Sequence, residues 1–252
     1  MLTDLLVFSA VGFLAQLVDG ALGMAYGVTA TTVLLQLGTP PAVASASVHT
    51  AEVFTTGASA LSHWRFRNVD RSLVIRLAIP GVIGGGIGAY LLSSFPGHLF
   101  RPLISAYLLG MGVLIITKAF RPPTAGIDLK THPVKVLGLI GGFLDAVGGG
   151  GWGPVVASRL IGSGGAPKLV IGSVNCAEFF LTAAVSATFF ATIGLELWPV
   201  ITGLVIGGVI AAPLGAFAAA KLPPRPLMIM VGTLITILSL ANLMGDFRRY
   251  FL

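Results

Sequence analysis

Six long apolar segments restrict this chain to a membrane fold. Each is close to the ~20 residues that a helix needs to cross the hydrocarbon core of a bilayer. Only 10% of the residues are charged, against about a quarter in a soluble domain, so the chain has too few charges to cover a surface in water. A transmembrane barrel would instead show alternating strands of ~10 residues, so the pattern predicts an α-helical, multi-pass membrane protein. The segments are 41–62, 73–93, 100–118, 167–190, 198–218 and 226–244.

The net charge of +6 does not indicate a nucleic-acid partner. The basic residues lie in short loops between apolar segments, where they orient helices in a membrane. Cys176 is the single cysteine, which excludes an internal disulfide. The start of the chain, residues 1–4, lacks the basic region of a signal peptide, so we expect it to be the start of the mature protein.

The chain contains an internal repeat. Residues 12–56 align with residues 138–182 without a gap, at a constant offset of 126. Two acids, a proline and a series of glycines recur in register, which chance similarity between apolar segments does not produce. The sequence therefore predicts one repeat over 1–120, a polar linker over 121–133 and a second repeat over 134–252. The matched pairs include Asp19 and Asp145, Gly23 and Gly149, Gly27 and Gly153, Pro41 and Pro167, and Glu52 and Glu178.

Loop charges indicate that the two repeats have inverted topology. Each repeat has five apolar segments, and the first two are short and meet at a glycine cluster, so each repeat crosses the membrane an odd number of times. The 63–72 loop carries Arg65, Arg67 and Arg71, whereas the matching 191–198 loop carries Glu196 and no base. Inverted topology places 12 of the 15 basic residues in the cytoplasm, as the positive-inside rule favours. The segments are about 5–18, 22–37, 41–62, 73–93 and 100–118, then 134–147, 151–161, 167–190, 198–218 and 226–244.

Glycine-rich breaks occupy matching positions in the two repeats, at residues 19–27 and 145–154. Transporters with inverted repeats bind substrate near the midplane, at helices broken in matching positions. A helix that begins inside the membrane presents free N–H groups and a partial positive charge, which favour an anion. The alternative is that these glycines serve close helix packing alone.

A polar stripe follows the third segment of each repeat. His49, Glu52 and Thr56 share one helix face, as do Asn175, Glu178 and Thr182. Glu52 and Glu178 lie near mid-membrane, where an acid costs at least ~2.5–3.5 kcal/mol and usually titrates or lines a polar path. A structural, hydrogen-bonded glutamate is the alternative.

The candidate residues fall into two groups. Asp19 and Asp145 either join Glu52 and Glu178 in proton coupling or cap the following half-helices. The candidates for proton coupling are Glu52, Glu178, Asp19 and Asp145. The candidates for substrate binding are Gly23, Gly27, Ser47, His49, Thr50, Gly149, Gly150, Gly151, Gly153, Ser173, Asn175 and Cys176.

Enzymatic and metal-dependent functions have little support in the sequence. His49 and Glu52 alone make a weak metal signal. The sequence has no Walker A motif, nucleophile elbow or redox CxxC. We therefore predict that the protein is not an enzyme and uses no metal or cofactor.

The glycine breaks, 23–27 and 148–154, together with the duplication and the length, resemble the TauE/SafE family of sulfite exporters. The 47–71 stretch resembles one branch of that family. The resemblance covers nearly the whole chain and implies transport of sulfite, thiosulfate or an organosulfonate across a bacterial cytoplasmic membrane, driven by the proton gradient. The first half departs from the glycine pattern, because it has Met24-Ala25-Tyr26 where the second half has Gly150-Gly151-Trp152.

We therefore expect a proton-coupled secondary transporter that binds a small anion between its halves, within the lipid bilayer. Glu52 or Glu178 would carry the proton, because a nearby anion favours the protonated carboxyl. A passive anion channel is one alternative, and an intramembrane enzyme using His49 and Glu52 is another. The repeat favours transport, since alternating access uses both halves. The sequence gives no indication of the oligomeric state.

Overall fold

All regular elements are helical in the part of the chain that the computed structural model describes, residues 2–22, 24–120, 133–194, 198–221 and 224–251. This confirms the predicted all-α membrane fold. Gly23, Glu196 and linker residues 121–132 lie outside the described residues. The first half contains α1 (Leu2–Leu22), α2 (Tyr26–Gln36), α3 (Pro41–Arg65), α4 (Arg71–Ser94) and α5 (Gly97–Ala119). The second contains α6 (Val134–Gly148), a π-helical turn (Trp152–Ala157) that continues into α7 (Ser158–Gly162), α8 (Pro167–Ile193), α9 (Trp198–Lys221) and α10 (Pro224–Phe251).

Local sequence sets several helix starts. Pro41 and Pro167 occupy the first turns of α3 and α8, where a missing N–H costs nothing. Asp70 caps α4, because its side chain accepts hydrogen bonds from the N–H groups of Ser72 at 2.8 Å and Leu73 at 3.2 Å. The α3 and α8 starts are those predicted from the sequence.

Among the described residues, four helices are long and apolar enough to cross a membrane: Arg71–Ser94, Gly97–Ala119, Leu169–Ile193 and Arg225–Arg248. At 25 residues, α3 is also long enough, but its polar stripe lowers its hydropathy. On α4, Ile75, Ile79, Ile83 and Ile87 recur every fourth residue, and each is more than half exposed. A soluble protein buries such residues, so this outer face is suited to lipid.

Helices of one half pack on helices of the other half, and equivalent helices exchange partners. α1 packs along α9, and their repeat mates α6 and α4 pack along each other. α3 packs on its repeat mate α8, and α5 packs on its repeat mate α10. Glycines permit the close approach: a Cβ added to Gly12 would lie 2.4 Å from the carbonyl oxygen of Leu204, and one added to Gly138 would lie 2.8 Å from that of Leu77. Gly12 and Gly138 are repeat mates, and their contacts fall on equivalent helices. This exchange is what a two-fold relation between the halves requires, while their orientation across a membrane remains a prediction.

The second segments of the two halves reach only partway across a bilayer. α2 has 11 residues, and the π-helical turn and α7 together are equally long. At 1.5 Å per residue this is about 16 Å, or half of a ~30 Å hydrocarbon core.

The predicted first segment, 5–18, was too short, since α1 extends through 21 residues. Residues 19–22 continue the helix, since a single glycine such as Gly20 costs it only about 1 kcal/mol.

Candidate functional site

The two helix breaks touch each other at the interface between the halves. Positive φ angles mark both, at 109° for Ala25 and at 66° and 152° for Gly149 and Gly150. A Cβ added to Gly27 would lie 2.7 Å from Gly150 Cα, and one added to Gly150 would lie 2.2 Å from the backbone nitrogen of Val28. Real Cβ atoms do not approach so closely, so the contact requires glycine on both sides.

Equivalent aspartates cap the helices that begin at the breaks. Asp19 Oδ1 accepts a hydrogen bond from the Tyr26 N–H at 3.3 Å, and Asp145 Oδ1 accepts one from the Trp152 N–H at 2.8 Å. Tyr26 begins α2 and Trp152 begins the π-helical turn, and the two are repeat mates. This is the capping geometry that the sequence offered as an alternative. In this conformation, the positive end of each short helix therefore faces a carboxylate of the chain itself.

His49 joins the two halves. Its Nδ1 lies 2.8 Å from the Ser45 carbonyl oxygen, which can only accept, so Nδ1 carries a hydrogen. Its Nε2 lies 3.0 Å from Asp145 Oδ2. The Ser45 hydroxyl donates to the Ala146 carbonyl oxygen at 2.6 Å, which adds a second link between α3 and α6. The imidazole is therefore held from both sides.

The two glutamates lie close enough to these aspartates for like charges to repel one another. Glu52 on α3 is repelled by Asp145, Glu178 and Asp19, and Glu178 on α8 is repelled by Asp19 and Asp145. Glu52 is buried, whereas Glu178 and Asp19 are half-buried. Glu52 Oε2 has no hydrogen-bond partner among the residues that the structure describes.

All four carboxylates line one cavity where the breaks meet. Its volume is about 10 Å³, which is room for about one water molecule. No lysine or arginine is among the described residues that line it. The breaks must separate before an anion larger than water can enter. The lining residues are Asp19, Ala25, Tyr26, Gly27, Glu52, Thr55, Thr56, Asp145, Gly150, Gly151, Gly153, Pro154 and Glu178.

The structure brings many of the predicted residues together. The four predicted proton-coupling acids line the cavity with Gly27, Gly150, Gly151 and Gly153. Gly149 belongs to the second break, where its carbonyl oxygen accepts a hydrogen bond from the Thr31 hydroxyl. His49 reaches the cavity through Asp145.

Five predicted substrate contacts lie away from the cavity. The Asn175 amide donates to the Ser59 hydroxyl at 3.0 Å, and the Cys176 thiol lies 3.7 Å from the Ala60 carbonyl oxygen, both at the contact of α8 with α3. The other three also make helix or loop bonds: Ser47 donates to Val43, Thr50 donates to Ala46, and Ser173 accepts from the Asp70 N–H. These side chains hold helices in place in this conformation.

Five of the lining residues were not candidates from the sequence. Ala25, Tyr26 and Pro154 lie inside the glycine-rich breaks, so their region was identified although their side chains were not. Thr55 is one residue away from the polar stripe and reaches the cavity beside it. The stripe itself includes Thr56, which does line the cavity.

Three side chains in the site could hold a cation. His49, Glu52 and Asp145 each offer one donor atom, and these atoms all lie within 4.8 Å of one another. The sequence showed the first two of them as a pair on one helix face. The third comes from the other half of the chain.

The chain matches one protein-family profile and individual bacterial proteins. The family profile described as "Sulfite exporter TauE/SafE" matches residues 8–242. The probable membrane transporter protein YtnM of Bacillus subtilis (strain 168) is 42% identical over 250 residues, covering 96% of this chain and 83% of YtnM. The probable membrane transporter protein YjnA of the same organism is 23% identical over 238 residues, covering 86% of this chain and 91% of YjnA. No solved structure gives a significant match.

Proposed function

Because the chain belongs to the sulfite exporter TauE/SafE family, we propose that it moves a small sulfur-containing anion across the bacterial cytoplasmic membrane, coupled to protons. Sulfite, thiosulfate and organosulfonates are the substrate class. The family and the helices that can span a bilayer make the protein a multi-pass membrane transporter. Substrate and coupling are the proposal.

The observation that carries this proposal is the ring of four carboxylates around the cavity. An anion that enters between ionised carboxylates meets strong repulsion, because charges interact more strongly where water is excluded. Bound protons remove that repulsion. Anion entry and proton uptake are therefore linked by charge balance.

Glu178 is the best placed proton carrier. It is half-buried in the cavity, so it can exchange protons with entering water, whereas Glu52 is buried. Asp19, beside it, already accepts the Tyr26 N–H. Protonation of Asp19 weakens that hydrogen bond and frees an N–H at the positive end of α2 for the anion.

The small volume of the cavity supports alternating access over a passive channel. A channel needs a continuous path, whereas the cavity where the breaks meet holds about one water molecule. The enzyme alternative is also weakened, since both ring nitrogens of His49 are engaged and neither is free to act as a base.

Flux into proteoliposomes tests the proposal. Purified protein would be reconstituted and uptake of labelled sulfite, thiosulfate and a small alkylsulfonate measured, with and without an imposed pH gradient. We expect one of these anions to move, faster under one polarity of the gradient, while chloride and phosphate do not. Protein-free vesicles are the control. Equal flux in both kinds of vesicle, or flux indifferent to the gradient, contradicts the proposal.

A further inference from the structure

We propose that His49, Glu52 and Asp145 form a binding site for a divalent first-row transition-metal cation such as Zn²⁺. Exposed fractions are 0% for His49, 4% for Glu52 and 2% for Asp145. Their donor atoms lie within 4.8 Å of one another. Two ligands come from α3 and one from α6, so the cation would join the halves.

Two of the three ligands are already oriented by neighbouring groups. The His49 Nδ1–H donates to the Ser45 carbonyl oxygen at 2.8 Å, which turns Nε2 towards the carboxylates. A backbone carbonyl in this position is a common outer partner of metal-binding histidines. The Trp152 N–H holds Asp145 by Oδ1, leaving Oδ2 towards His49.

Glu52 gives independent evidence for a missing partner. It is on the same helix face as His49, three residues on, and its Oε2 is buried with no hydrogen-bond partner in the described part of the chain. Leaving a buried polar atom unpaired costs about 1–3 kcal/mol, and more for a charged group. A cation bound by this carboxylate supplies the partner.

Distance and charge fit such an ion. Ligand atoms at ~2.0–2.2 Å from a metal are at most about 4.4 Å apart, so donor atoms within 4.8 Å of one another are close to the spacing that a bound metal requires. Two carboxylates neutralise a divalent cation. One imidazole with two carboxylates suits Zn²⁺, Mn²⁺ or Co²⁺.

The repeat provides a degenerate copy of the site. The equivalent residues are Asn175, Glu178 and Asp19, and the Asn175 amide donates to Ser59. An amide is a poorer ligand than an imidazole for these metals. We therefore expect one metal ion per chain.

Metal binding to the purified full-length protein tests the site without any flux measurement, so it is independent of the transport proposal. After chelator treatment, Zn²⁺ binding would be measured by equilibrium dialysis with elemental analysis, and Co²⁺ binding by visible absorption. We expect one ion per chain, bound roughly tenfold or more weakly in Glu52→Gln and in His49→Gln. Asp70→Asn, the same change from acid to amide at the cap of α4 outside the cavity, is the control and should bind as the parent does.

Two results would overturn the assignment. One is the lack of saturable Zn²⁺ or Co²⁺ binding in the parent protein. The other is equal affinity in Glu52→Gln and in the Asp70→Asn control. Size-exclusion behaviour confirms that each variant is folded, and Glu52→Gln, which keeps the side-chain volume, decides the case if His49→Gln does not fold.

Discussion

The Nε2 atom of His49 lies 3.0 Å from Oδ2 of Asp145, although the two residues belong to different halves of the chain. Their repeat mates are Asn175 and Asp19. Asn175 donates to Ser59 instead, and Asp19 accepts from the Tyr26 backbone. The halves therefore share a backbone plan but differ in the side chains that contact their aspartates.

Asn175→His should give the second half the ligand that it lacks. To complete a second site of the kind proposed for His49, Glu52 and Asp145, the new imidazole must leave the Ser59 contact that Asn175 makes and turn towards Glu178 and Asp19. We expect Zn²⁺ binding to rise from one to two ions per chain in equilibrium dialysis. Asn175→Gln, which adds length but no imidazole, is the control and should stay at one.

Glu178→Gln should uncouple transport from the pH gradient. Glutamine keeps the volume and some hydrogen bonding but cannot take up a proton, so substrate binding should persist. The ratio of flux with the gradient to flux without it should fall to unity. Asp70→Asn is the control, because asparagine caps a helix as well as aspartate does and Asp70 lies outside the cavity. A variant that responds to the gradient as the parent does would remove Glu178 as the carrier.

Ala25→Gly should keep or raise thermal stability. Ala25 has a φ of 109°, a conformation that costs a side chain on the order of 1–3 kcal/mol and that glycine adopts freely. Its repeat mate is already Gly151. Ala30→Gly, inside α2, is the control and should lower the unfolding free energy by ~1 kcal/mol. Thermal unfolding in detergent compares them, and equal losses would show that Ala25 is not strained.

Cysteine labelling tests the inverted topology. Single cysteines at Asn68 and Glu196, in a Cys176→Ser background, should react with an impermeant reagent from opposite sides of the membrane. The reason is that Arg65, Arg67 and Arg71 surround the first position, as in a cytoplasmic loop. Labelling of both from one side would establish parallel halves.

The sequence was enough to locate most helices, two proline starts and both breaks, because these depend on nearby residues, but it made α1 too short. It also singled out Glu52 and Glu178, which line the cavity, since the polar stripe is a property of one helix. It could not show that Asn175 and Cys176 would turn towards α3, because a helix face is wider than the strip that lines the cavity. The sequence pattern also could not predict that His49 contacts Asp145, since 96 residues separate them along the chain.

The contact between Gly27 and Gly150 links the mechanics of the two breaks. With no side chain between them, there is no compressible layer to absorb displacement of either backbone. A shift of the α2 start pushes directly on the second break, which carries the cap of the π-helical turn. The two short helices are therefore expected to move together, so a ligand that moves one of them also changes the position of the other.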